Sequence, residues 1–262
     1  LALNASAGKS ERDSTTPDVA VPDYTKALKK DLKGMTIGIP KEYFEQGVEK
    51  ETGDTILKGI EVMRKLGATV IEVSLPLTKY AIPAYYLIVK SEASTNMARY
   101  DGIKYGITAE DAKALEEIYI KTRSAGFGDE VKRAIMIGTY TLSAGYIDAF
   151  YLKAAKVRAM MKREYEEAFK KCDALVAPTS PFTAFKIGER MEDPLAMYAA
   201  DTLTVPAGTV GLPGLTLPAG FDSKGLPIGM QIMGGQFQEE KILRVGYAFE
   251  QAPEWHRKKP NL

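Results

Sequence analysis

The sequence predicts an α/β fold, a mixed and largely parallel sheet flanked by helices. Three observations predict it. A strand, an amphipathic helix and a second strand follow one another within about 40 residues, and such a βαβ unit favours a parallel pair. The stretch Ala174–Pro178 is wholly apolar, so it belongs inside a sheet covered on both faces. Two further apolar stretches near the end flank a turn, which adds a hairpin.

Each element has a local reason. Leu1-Ala2-Leu3-Asn4 reads as the last turn of a helix, and the polar run Ser6–Asp18, punctuated by Gly and Pro, as a surface loop. Residues 1–30 are thus a loop and connector, and such an opening reads as the middle of a longer chain. Met35–Pro40 is a short strand halted by proline. Ile56, Ile60, Met63 and Leu66 recur at intervals of three and four, which makes Glu51–Leu66 an amphipathic helix that Gly67 stops. Thr69–Val73 is the next strand, and Pro83–Arg99, rich in Ala, Leu and Tyr, the next helix. Thr108-Ala109-Glu110-Asp111 resembles a capping box with Asp in place of Glu, opening a helix to about Lys121. Gly126-Phe127-Gly128 breaks the pattern, and Asp129 suits the start of a helix over Glu130–Ile137. Leu142–Lys171 has no proline and good helix formers throughout, so it predicts the longest helix. Leu215–Leu217 and Ile228–Met233 are strands around the turn Asp222–Gly225. Gln238–Gln251 is a closing helix, and residues 253–262 form a frayed tail.

Composition narrows the function. Hydrophobic residues are 45% and charged residues 26% of 262, an ordinary globular balance. With 35 Lys plus Arg against 34 Asp plus Glu, the chain has no global basic footprint for nucleic acid. Its longest apolar run, Tyr80–Val89, is about half a membrane span, so no membrane partner is expected. One cysteine, Cys172, excludes an intrachain disulfide and a cysteine-based zinc site, and fits a reducing, cytoplasmic setting. One histidine, His256, excludes a metal site of several histidines and argues against a Ser-His-Asp triad. Any acyl or amide chemistry therefore needs another base.

Several motifs remain open on the residues alone. No G-x-G-x-x-G, P-loop or G-x-S-x-G motif is present, and Gly208, Gly211 and Gly214 read as a turn-rich connection. Pro178-Thr179-Ser180-Pro181 follows the buried strand, where α/β proteins place ligands, yet two prolines also make a rigid turn. Asp201 is a lone acid among apolar residues. It either caps a helix or binds a cation, because an unpaired buried carboxylate is costly. Tyr85-Tyr86 reads first as core packing and Lys132-Arg133 as a solvated face.

Together these stretches resemble the amidase signature family. The residues that carry the resemblance are Lys41–Phe44, Tyr80–Tyr86, Glu92–Gly102, Thr122–Gly128, Gly138–Tyr140, Ala177–Thr179, Asp193–Tyr198 and Gly211-Leu212-Pro213-Gly214 through Gly229. They run in order over the whole chain. Within the family they are similar to the A subunits of glutamyl-tRNA(Gln)/aspartyl-tRNA(Asn) amidotransferases. The tyrosine-rich segment and Thr122–Gly128 carry that finer likeness.

The resemblance implies amide hydrolysis by a Ser–cis-Ser–Lys triad, in which a neutral lysine takes the serine proton. It implies glutamine as the amide and B and C subunits as partners. It places ATP and Mg only in a partner subunit, with tRNA engaged only indirectly. The triad belongs to a Gly/Ser-rich region preceding the matched part. The sequence has one Gly-Gly pair, Gly234-Gly235, and no Gly-Ser-Ser-Gly run, so no catalytic residue is expected in it. What the resemblance assigns here is substrate binding: Tyr86 over the glutamine pocket, Asp201 on the α-ammonium, and Arg133 for the α-carboxylate. The family has a second arginine after Arg133, and it is the one expected to hold the carboxylate. Here that position is Ala134, which has no guanidinium fork. Gly208 stands where the family often has Asn. A stand-alone amidase acting on another amide, and a non-catalytic α/β ligand-binding module, are the alternative readings.

Overall fold

The structure, a computed structural model, describes residues 1–45, 47–189 and 194–259. Its strands are β1 (Thr36–Pro40), β2 (Thr69–Val73), β3 (Ala174–Pro178), β4 (Gly214–Phe221) and β5 (Pro227–Met233). Its α-helices are α1 (Ala2–Ser6), α2 (Glu42–Glu45), α3 (Lys50–Lys65), α4 (Ala81–Met97), α5 (Leu115–Gly126), α6 (Asp129–Leu142), α7 (Lys153–Phe169), α8 (Pro194–Ala199), α9 (Val205–Val210) and α10 (Glu239–Glu250). The chain forms two compact units, Leu1–Lys79 with Met161–Leu262, and Tyr80–Met160.

The first unit holds a five-stranded mixed sheet in the order β2-β1-β3-β5-β4. β1 pairs in parallel with β2 and β3, and β5 pairs antiparallel with β3 and β4. The parallel part is the predicted βαβ unit, and the antiparallel part is the predicted hairpin. All five residues of β3 are buried, as its apolar sequence requires of a central strand. Side chains alternate between faces. On one face Ile56, Ile60 and Met63 of α3 and Ile242, Val245 and Phe249 of α10 pack on Ala174, Val176, Ile228, Met230 and Ile232. Burying each large apolar side chain contributes about 1.5–3 kcal/mol. Gly59 lets α3 lie this close: a Cβ there would stand 2.5 Å from Met230 Cε. On the opposite face the hydroxyls of Tyr43 and Tyr165 meet at 2.5 Å, with Met233 Sδ 3.9 Å from the Tyr43 hydroxyl. Burial pushes the pKa of both phenols above the usual range, so both stay protonated.

The turn between β4 and β5 forms as the sequence predicts. The Asp222 carboxylate accepts from the N–H groups of Lys224 and Leu226, and Asp222 N–H donates to Leu226 O at 2.8 Å. α3 stops at Gly67, whose φ of +100° favours glycine.

In the second unit α4 crosses α6 at a seam of small and hydroxyl residues. A Cβ on Gly138 would stand 2.0 Å from the Lys90 carbonyl oxygen, so only glycine permits this approach. The hydroxyls of Ser91 and Thr141 meet across the seam at 2.7 Å. Ala84, Ile88 and Ala154 form a small core beside it.

Two expectations fail for physical reasons. The capping box at Thr108 does not form: its hydroxyl donates to Gly102 O, and Ala109 N–H donates to Thr122 Oγ1 at 2.9 Å. α5 therefore begins at Leu115, after Ala114. The long helix over Leu142–Lys171 is interrupted. α6 ends at Leu142, Gly145 takes a φ of +86°, and a π-helical turn at Asp148–Leu152 precedes α7. In the described part of the tail two contacts are made. Trp255 packs edge-on against Phe221 at 5.7 Å, and Lys258 Nζ lies 4.8 Å from the Trp255 ring centroid.

Candidate functional site

The residues expected to bind substrate fall in both units, and each unit builds its own part. In the first, β3 ends at Pro178, beyond which Thr179 N–H donates to Gly229 O at 2.9 Å. The Thr179 hydroxyl donates to that of Thr216 at 3.5 Å, and Glu49 N–H donates to Pro181 O at 2.8 Å. The prolines thus do make a tied turn, with two hydroxyls facing each other beside it.

Gln231 organises this end of the sheet. It is buried on the Tyr43–Tyr165 face of β5, where its neighbours in sequence are apolar. Its amide nitrogen donates to Pro178 O at 2.8 Å and to Leu203 O at 2.7 Å. One side chain therefore fastens the end of β3 to the turn that carries Asp201. Sequence reasoning passed over it, although a glutamine at an inward position of an apolar strand was a legible signal.

Asp201 is exposed, which corrects the expectation of a buried acid. Its backbone carbonyl accepts from Thr204 N–H at 3.1 Å and Val205 N–H at 3.0 Å. The residue flanking α9 is Thr204, and no side chain caps that helix. The Asp201 carboxylate makes no cap, and among the described residues it has no hydrogen-bond or ion-pair partner. An exposed carboxylate is solvated by water, so its lack of a protein partner carries no burial cost.

In the second unit the structure brings Tyr86 and Arg133 to one cluster. Lys90 Nζ lies 5.2 Å from the centroid of the Tyr86 ring and 3.4 Å from Glu130 Oε1. Arg133 donates from Nη1 to Glu130 Oε2. Tyr85 stands edge-on to Tyr86 at 5.2 Å. Arg133 is exposed and pairs with the exposed Glu130 three residues before it, as on a solvated face, and Glu130 in turn meets Lys90 beside Tyr86. Neither Glu130 nor Lys90 was singled out from the sequence. Asp193, at the head of one resemblance motif, lies outside the described residues.

Cys172 is buried, its thiol donates to Ala168 O at 3.3 Å, and burial pushes its pKa up to about 11. A thiol so placed is a poor nucleophile at neutral pH. Among the described residues no group of three or more His, Cys, Asp or Glu is placed to hold a metal ion. No described helix is long and apolar enough to cross a membrane.

The profile of the amidase family matches residues 1–243. The chain belongs to the amidase family. It is 53% identical over all 262 residues to the A subunit of the glutamyl-tRNA(Gln) amidotransferase of Rippkaea orientalis, and 52% identical to that of Moorella thermoacetica. These alignments cover 54% and 53% of the two relatives, so the amidase chain spans about half the length of the curated relatives it matches. It corresponds to their C-terminal half. Among solved structures it is similar to the A subunit of the glutamyl-tRNA(Gln) amidotransferase of Thermotoga maritima. That similarity has a TM-score of 0.72 and 36% identity, over 94% of this chain and 48% of the other. A bacterial aryl acylamidase of the amidase signature family shares the fold with a TM-score of 0.75 and 24% identity, over 97% of this chain and 51% of that one.

Proposed function

We propose that this amidase chain is the substrate-recognising half of the A subunit of a glutamine-dependent amidotransferase. The observation that carries the reading is the identity of 53% across the entire chain with a protein of that name. In this reading a serine of the upstream half attacks the side-chain amide carbon of glutamine while a lysine takes the serine proton. Ammonia leaves, water hydrolyses the acyl-enzyme, and glutamate departs. The ammonia passes to a B subunit, held with a C subunit, where ATP and Mg support amidation of glutamyl-tRNA(Gln). tRNA is engaged only through that partner.

The chain's own residues hold the amino-acid end of the substrate. Asp201 receives the α-ammonium, Tyr86 lies over the pocket, and Arg133 faces the α-carboxylate. The exposed Asp201 carboxylate and the gathering of Tyr86, Lys90, Glu130 and Arg133 support these roles. Ala134 favours the second reading, a stand-alone amidase for a substrate without a carboxylate.

Asp201→Asn in the full-length protein tests the assignment. A charge-assisted pair contributes about 1.5–3 kcal/mol. The substitution should therefore weaken glutamine by roughly ten- to a hundredfold. An amide lacking the α-amino group should be hardly affected. Equal loss for both amides would make Asp201 a structural residue.

A further inference from the structure

Lys90 is the only charged side chain among the described residues that is buried, at 6% exposure. Withdrawing an ammonium from water is costly unless its charge is used. Lys90 follows Tyr86 by one helical turn on α4, so both lie on one face. On α6, Glu130, Ala134 and Gly138 are spaced by four and share a face. That face meets α4 at two fixed points. Gly138 touches the backbone of Lys90, and Glu130 meets its ammonium at 3.4 Å. Ala134 is the rung between them. A long cationic side chain at position 134 would rise from α6 toward the place that the Lys90 ammonium reaches from α4.

We propose that Lys90 is the second cation of the carboxylate subsite, supplying from α4 the charge that Ala134 does not supply from α6. Glu130 and Tyr86 are its positioning residues. This rests on the amidotransferase reading and deepens it: the substrates selected are amino-acid amides with a free α-carboxylate. Lys90 and Arg133 both reach the Glu130 carboxylate, one to each oxygen. Glu130 therefore holds two cations of different depth side by side, at the ring of Tyr86. An incoming carboxylate meets the pair already assembled, the half-exposed Arg133 near solvent and the enclosed Lys90 beneath. An ammonium is a point charge without the fork of a guanidinium, so it holds a carboxylate oxygen without fixing its plane.

The test uses the full-length protein in its complex, with kcat and KM measured for L-glutamine and for 4-aminobutanamide. The latter keeps the amine and the amide and lacks the carboxylate. Lys90→Met should raise the KM for glutamine by roughly ten- to a hundredfold with kcat little changed, and leave 4-aminobutanamide unaffected. Adding Ala134→Arg to Lys90→Met should restore most of the glutamine KM, a recovery that a merely structural lysine would not show. The assignment is overturned by an unchanged glutamine KM, by equal loss for both amides, or by no recovery in the double variant. Hydrolysis of 4-aminobutanamide reports whether each variant is folded. Failure of the amidotransferase reading shows separately, as a wild-type complex that does not hydrolyse glutamine, and it removes this proposal with it.

Discussion

A buried amide that donates twice is a vulnerable point. Gln231 satisfies the Pro178 and Leu203 carbonyls at once. Gln231→Leu keeps the volume and strands both acceptors, each at a cost of about 1–3 kcal/mol. We expect a loss of about 2–4 kcal/mol in thermal or urea unfolding. The KM for amino-acid amides should also rise, because the turn carrying Asp201 loses its fastening. A change below about 0.5 kcal/mol would mean that water replaces the amide. At this scale the sequence was partly legible. Tyr86, Arg133 and Asp201 came from the resemblance, and the residues alone left Asp201 between a cap and a cation site. The structure exposes the carboxylate, so the cost of burial that framed that choice does not arise. Lys90 and Glu130 were missed because their significance depends on two helices meeting. Periodicity within one helix does not show which partner faces it.

Elements governed by local chemistry were readable. β1, β2, β3, the Asp222–Gly225 turn and the stop at Gly67 follow from apolar runs, proline and glycine. Elements decided by distant partners were not. Thr108 looked like a cap because of its neighbours, and it bonds to Gly102 because the chain folds back. The break in Leu142–Lys171 hung on Gly145, a single residue amid strong helix formers. The α4–α6 seam supplies the element-scale prediction. In an ordinary helix, Gly→Ala stabilises by about 0.8–1 kcal/mol. At Gly138 the added Cβ would overlap the Lys90 carbonyl, and backbone does not swing aside as a side chain does. Overpacking of this kind costs about 1–3 kcal/mol. Gly138→Ala should therefore lower Tm by several degrees and speed hydrogen exchange in α4 and α6. A raised Tm would show that the helices separate at little cost.

At the scale of the molecule, the sheet is the part that composition and pattern foretold most fully. It is mixed, with β3 at its centre, and its outer strands are β2 and β4. Beside β2 lies a groove of about 780 Å³ floored by Ile39, Phe44, Leu57, Ile60, Val70 and Ile71. Charged side chains, among them Lys41, Glu61, Arg64 and Glu72, also line this groove. The division into two units was not visible in the sequence, because each unit is built from segments of ordinary composition. In the proposed function this chain recognises glutamine and the chemistry comes from the half preceding it in its relatives. Ammonia release from L-glutamine tests it most directly, measured on the chain alone and on the chain joined to that half in the assembled complex. No release above background is expected from the chain alone, and release is expected from the assembled enzyme that Asp201→Asn suppresses. Glutamine hydrolysis by the chain alone, abolished by a point substitution within it, would contradict the claim.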